Sequence, residues 1–330
     1  MRKFGVKLLS LGLVSGLAMG AVALPKSAVA AWKPKKPIEF VIMAGKGGGA
    51  DKMARLMQTV IAKNKWSSKP LTPINKPGGS GAEALVHLKG KMKSDPNHTI
   101  MVTLNSFYTT PMRQPGLGVD ISTFTPVARM AEDSFLLWVH KDSGIKNVAD
   151  FVKAAKAKGK NWIMAGTGKL QEDQLLTDFL NAAYGLSMKY VPYKGGGKVA
   201  KQLAGKHADS TVNNPSEQDG FYRAGTTKAL AAFTPERLEM FPDAPSFREI
   251  GKDFVYFMQR SVVGAPGMSK EAASYYQGLF KKVYDSPDWQ KYMKKKSLRG
   301  AFLSGQALKD YWLKEREIHR QMLLKMGAIQ

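Results

Sequence analysis

Apolar residues in this chain fall into short continuous runs, and between the runs they recur on one face of a three-to-four-residue period. Phe40 to Ala44 is an unbroken apolar run, the pattern of a strand buried on both faces. Gly45 to Gly49 makes a turn, and Ala50 to Ala62 then sets Met53, Ala54, Met57 and Ile61 on one helical stripe. The unit recurs. Ile100 to Leu104 and Phe135 to Val139 read as strands. Trp162 to Ala165 is a strand that meets Gly166-Thr167-Gly168 and a helix carrying Leu175, Leu176, Phe179 and Leu180. Met188 to Val191 leads through Gly195-Gly196-Gly197 into a helix from Val199 to Leu203, and Ala229 to Phe233 is a further strand. Alternation of this kind predicts an α/β architecture with mostly parallel sheets flanked by helices.

The last third changes character. Lys270 to Tyr284, Pro287 to Lys296 and Gln306 to Met326 read as helices, with Pro287 suited to a first turn where a missing N–H costs little. In the last of them Leu308, Tyr311, Ile318 and Met322 can share a face. Pro266 and Gly267 mark the boundary before these helices.

The first thirty residues have a different pattern. Arg2, Lys3 and Lys7 precede an apolar run from Leu8 to Val22, and Ala28-Val29-Ala30 is an A-x-A sequence. Together they predict an export leader, residues 1–30, cut near Ala30, rather than a retained membrane anchor. The expected mature protein begins at Ala31 and is exported. The chain has no cysteine, so disulfides, thiolate metal sites, cysteine catalysis and a lipidated N-terminal cysteine are excluded. Net charge is +24. Scattered lysines such as Lys153, Lys156 and Lys160 read as a solvated helix face, and an exported protein rarely meets nucleic acid. The expected use of the charge is a field that draws small anions inward.

Candidate chemistry gathers in the glycine-rich turns. Four segments place such a turn before a helix: Gly45 to Asp51, Pro77 to Gly81, Gly166 to Lys169, and Lys194 to Gly197. Glycine lets a ligand approach the backbone, and the N–H groups at a helix start favour an anion. Gly45, Gly47 and Ala50 fit G-x-G-x-x-A, but no acidic residue lies between Asp51 and Glu83 to hold a ribose. No turn continues as G-K-S/T, the five histidines lack metal-ligand spacing, and there is no G-x-S-x-G elbow. We therefore expect no cofactor, no metal and no catalysis.

These turns, in this order, resemble those of the substrate-binding receptors of tripartite tricarboxylate transporters, the Bug receptor family. The resemblance runs through Gly47-Gly48-Gly49-Ala50-Asp51, Asn75-Lys76-Pro77-Gly78, Phe124-Thr125-Pro126-Val127-Ala128, Val191-Pro192-Tyr193-Lys194-Gly195-Gly196-Gly197 and Asp243-Ala244-Pro245-Ser246. It implies a two-lobed, type II periplasmic-binding fold. Lobe one would comprise residues 31–129 and 259–330, and lobe two residues 130–258. It also implies a small carboxylate clamped between the lobes by the Gly45 to Asp51 and Gly166 to Lys169 turns, one from each lobe, a di- or tricarboxylate above others, and integral membrane subunits as partners. A monomer suits such a clamp. A periplasmic sensor feeding a two-component system would use the same cleft.

The expected ligand-binding residues are Lys46, Gly47, Gly48, Gly49, Asp51, Ser80, Gly166, Thr167, Gly168, Lys169, Gly196 and Gly197 from the turns. Asn105 and Ser106 follow a strand, and Arg260 lies at a crossing strand. Asn213 and Asn214 stand where the family often has a D-N-x-P segment. Lys46 and Lys169 depart from the family pattern; they are expected to face each other across the cleft and favour more than one carboxylate, unless they point to solvent. For Asp51 a helix-capping role competes, as it does for Asn105 and Ser106. Arg260 could equally make a structural ion pair.

Overall fold

The computed structural model describes residues 32–330, so the proposed leader and its cut site lie outside the described residues. The apolar runs become the centres of two five-stranded sheets. In the first, β1 (Ile38–Ile42) lies between β2 (Leu71–Asn75) and β3 (Thr99–Thr103), all parallel. β4 (Thr125–Ser134) closes the far edge, and β10 (Phe257–Gly264) runs antiparallel between β3 and β4. In the second, β6 (Ile163–Thr167) lies between β7 (Lys189–Tyr193) and β8 (Ser210–Asn213), again parallel. There β5 (Leu136–His140) runs antiparallel between β8 and β9 (Thr227–Ala232). The strand orders β2-β1-β3-β10-β4 and β7-β6-β8-β5-β9 are thus one topology used twice.

Each sheet is mixed rather than wholly parallel, and the reason is the connection between them. β4 of the first sheet passes through buried Phe135 directly into β5 of the second, and β10 brings the chain back. The arriving strand inserts against the direction of its neighbours. Prolines mark the outer strands: Pro73 in β2 and Pro192 in β7 sit at sheet edges, where a missing ladder N–H is tolerated.

The βα units fold as the stripes predict. α1 (Gly49–Lys63) buries Met53, Ala54, Met57 and Ile61. α2 (Ala82–Gly90) and α3 (Ser106–Arg113) follow β2 and β3. α4 (Val148–Lys158) buries Phe151 and Ala155 and turns Lys153 and Lys156 outward. α5 (Glu172–Tyr184), α6 (Gly196–Ala204) and α7 (Pro215–Arg223) follow β6, β7 and β8. α8 (Lys270–Asp285), α9 (Pro287–Lys295) and α10 (Gly305–Lys325) form the C-terminal third, with α8 and α10 packed on β4. Among the described residues no helix is long and apolar enough to cross a membrane.

The buried face of α10 corrects the expected one. Leu308, Trp312, His319 and Leu323 are buried, whereas Ile318 is 44% exposed. A histidine on the core side hid the true stripe. His319 is satisfied there: Nδ1–H donates to the Glu315 carbonyl at 2.7 Å, so Nε2 accepts from Tyr256 Oη at 3.0 Å and Asn105 Nδ2 at 3.1 Å. Burial depresses its pKa from 6.5 to about 4. The Glu315 carboxylate lies 3.8 Å from Nδ1, but burial disfavours its own ionisation. The folded protein therefore refuses a proton that the unfolded chain accepts below pH 6.5. Stability from this group is complete above pH 6.5 and is lost as pH falls towards 4, by about 3 kcal/mol in all. Urea unfolding at pH 7.5 and 4.5 should show that loss, and His319→Gln should flatten the slope between them.

Candidate ligand-binding cleft

The helices of both halves start where parallel strands end, so the C-terminal strand ends of the two sheets face each other across a cleft. This is where α/β sheets bind ligands. The cleft holds a cavity of about 180 Å³. Met43, Leu104, Pro77, Met258, Pro192 and Tyr193 supply its apolar lining. Its polar lining includes glycine-turn backbone, Thr167, Gln171, Asp173, Asn214, Glu217 and Arg260.

The cleft is closed, and glycine is what lets it close. A Cβ on Gly45 would stand 1.8 Å from the Lys194 carbonyl oxygen, and one on Gly197 would stand 2.8 Å from the Gly47 carbonyl oxygen. The first turn therefore meets the 194–197 turn, not the 166–169 turn as expected. The latter meets the 77–81 turn instead: Ser80 Oγ and Arg113 Nη1 each donate to the Lys169 carbonyl at 3.1 Å. This removes the expected Lys46–Lys169 pair. Both side chains are exposed, neither residue lines the cavity, and Lys169 bridges the cleft through its backbone.

Carboxylates of the second half occupy helix starts of the first. Glu217, on the first turn of α7, accepts the Gly49 N–H of α1 at 3.1 Å. Its other oxygen accepts from Asn213 Nδ2 at 2.8 Å and from the Asn214 N–H at 3.2 Å, completing a capping box. Glu172, on α5, accepts the Ser106 N–H at the start of α3 at 2.7 Å. Asp173 beside it accepts the Thr167 N–H at 2.8 Å. Burial raises the pKa of Glu172, and burial with neighbouring Glu217 and Glu172 raises that of Asp173 well above the carboxylate range. At the base of the cleft, Arg260 Nε donates to Asp133 at 3.0 Å and Nη2 to Asn214 Oδ1 at 2.9 Å. Burial pushes Asp133 up to about 6 against the pull of Arg260, so the pair is ionic at neutral pH.

Of the residues expected from sequence, Gly48, Gly49, Ser80, Thr167, Gly168, Gly196, Asn214 and Arg260 line the cavity. Gly47, Gly166 and Gly197 do not line it. Asp51 is committed to the Gly47 N–H, Arg55 and Asn75, which tie the first turn to β2. Asn105 is likewise committed: its Oδ1 accepts the Gln259 N–H, and its Nδ2 donates to the Phe257 carbonyl. Ser106 gives its N–H to Glu172, and Asn213 gives its amide to Glu217. These four hold the walls and do not face the cavity. Sequence reasoning missed Gln171, Asp173 and Glu217. The Asn214-Pro215-Ser216-Glu217 spacing is a capping-box signature that could have located the last.

Two sheets of one topology, joined by crossing strands and closed on a cavity at their strand ends, define a two-lobed solute-binding protein. The chain belongs to the family described as the tripartite tricarboxylate transporter family receptor, which matches residues 50–327. That family is one of receptors and not a class of enzymes. The UPF0065 protein in the gbd 5′ region of Cupriavidus necator is 23% identical over 312 residues, covering 94% of this chain and 93% of that protein. Among solved structures, the periplasmic binding protein BugD superposes with a TM-score of 0.83 at 20% identity, covering 90% of this chain and 99% of that one. MatC from Rhodopseudomonas palustris with bound malate gives 0.78 at 21% identity, covering 88% and 99%.

Proposed function

We propose that this protein is an exported receptor that clamps a small carboxylate and delivers it to integral membrane subunits of a secondary transporter. Its lobes are residues 31–129 with 259–330, and residues 130–258, and the crossings β4–β5 and β10 serve as the hinge. It works as a monomer, is released near Ala30 and catalyses no reaction. The observation that carries this reading is the cavity enclosed between glycine turns of both halves. A solute bridging them favours the closed form by contacts it cannot make in the open one. Malate bound to MatC supports the ligand class.

The cavity sets a size. About 150 Å³ admits a benzene-sized guest, so 180 Å³ suits a short-chain acid better than a citrate-sized one. A thermal-shift screen of the purified protein against small carboxylates tests the function. At about 100 times Kd a true ligand adds about 2.7 kcal/mol to stability. A flat response across monocarboxylates, dicarboxylates and tricarboxylates would remove the reading.

A further inference from the structure

Resting on the receptor reading above, we propose that the cleft selects a small solute carrying a protonated amine as well as a carboxylate, with Asp173 as the residue that faces the amine. The argument begins with the charges around the cavity. Asp173 is 2% exposed and lines the cavity from the first turn of α5. Beside it the Gln171 side chain, 7% exposed, also lines the cavity and does not cap its helix. An acceptor carboxylate and an amide free to turn its carbonyl inward together suit an ammonium group.

The cations nearby do not offset Asp173. Arg260 is committed to Asp133 and Asn214. Lys52 donates to the Ser216 carbonyl at 2.5 Å, behind Glu217. Lys46, Lys169 and Lys194 are exposed. The anion-favouring positions are also partly filled from within. Glu217 caps α1 across the cleft and α7 in its own lobe, and a Cβ on Gly196 at the start of α6 would stand 1.9 Å from it. It acts as a built-in anion where three helix starts converge. Glu172 likewise accepts the Ser106 N–H at the start of α3.

Burial favours the protonated forms of Asp173 and Glu172 in the empty cleft, so a dicarboxylate's second charge meets no cation free to pair with it there and lies beside the Glu217 carboxyl. An amine in that place instead draws Asp173 into its ionised form and pairs with it, while a carboxylate of the same solute meets the glycine turns. The apolar lining from Met43, Leu104 and Met258 fits the short carbon chain between them.

Calorimetric titration with matched pairs differing only by an amine tests this: butyrate and 4-aminobutyrate, succinate and aspartate, glutarate and glutamate. At least one amine-bearing member should bind tighter than its twin by about tenfold or more, the scale of one charge-assisted hydrogen bond. Asp173→Asn should erase that preference by weakening the amine-bearing member towards its twin. Equal or tighter binding of the amine-free twins overturns the proposal, as does a preference that survives in a folded D173N. Should D173N not fold, the wild-type preference and its reduction in Gln171→Ala decide. If only amine-free acids from the thermal screen bind, the proposal falls and the receptor reading stands. If no carboxylate of either set binds, the receptor reading itself fails.

Discussion

Gly45→Ala should abolish tight ligand binding while leaving the empty protein folded. The added Cβ would lie 1.8 Å from the Lys194 carbonyl oxygen and 3.0 Å from its carbon. Both are backbone atoms, so no rotamer change relieves the clash, and one loop must retreat. The cost falls on the closed form alone. Gly45 does not need a left-handed backbone, so alanine fits the turn itself when the lobes are apart. Overpacking typically costs about 1–3 kcal/mol, and a Cβ this close to a backbone carbonyl belongs at the upper end; a ligand that needs the closed form loses affinity in proportion to that form's population. The expected weakening is therefore about 100-fold. Calorimetry against a ligand from the screen reads the affinity, and small-angle scattering with and without ligand reads the closure. Gly278→Ala is the control: its Cβ would meet nothing within 4 Å on α8, so it should leave binding alone and stabilise the helix by about 1 kcal/mol. Wild-type affinity in Gly45→Ala would show that the bound form does not bring these two turns together.

The same contact explains what could and could not be read along the chain. β1, β3 and α1 were legible because each is buried on one or both faces, which leaves an unbroken apolar run or a clean stripe. β2 was not, because an edge strand reading Leu71-Thr72-Pro73-Ile74-Asn75 carries a proline and polar residues that a central strand would reject. β4 was hidden for a different reason. It buries Arg129, Asp133 and Ser134, polar groups that look like loop until their partners are known. Arg129 finds Glu132 and the Ala301 carbonyl, and Asp133 finds Arg260. The glycine turns were visible as ligand loops. Which turn meets which was not, since Gly45 and Lys194 are brought together only by how the two sheets face. The carboxylates Glu172 and Glu217 sit on first helical turns, where acidic residues are common for local reasons, so their reach across the cleft left no mark in the sequence.

Arg260→Leu should be the most destabilising single change at the base of the cleft. Arg260 and Asp133 are each about 2% exposed, and they join the two crossing strands β10 and β4. Removing the guanidinium strands the Asp133 carboxylate, whose Oδ1 already lacks a partner, and frees Asn214 Oδ1. Breaking a buried pair from one side costs about 3–5 kcal/mol, whereas replacing both partners with apolar groups is often close to neutral. Arg260→Leu with Asp133→Leu should thus recover much of what the single change loses, read by urea unfolding at pH 7.5. The pH dependence separates charge from packing. In the native protein Asp133 titrates at about 6 rather than 3.8, so the folded state holds a proton the unfolded chain has lost, and this group's contribution declines as pH rises through that window. Without Arg260 the folded pKa climbs further, and the variant's deficit keeps growing towards neutral pH. Lowering the pH from 7.5 to 5.5 should therefore narrow the gap between Arg260→Leu and wild type, because the stranded carboxyl is protonated in the variant first. A gap that stays constant over that range would mean the loss comes from packing around the arginine stem and not from the unpaired charge.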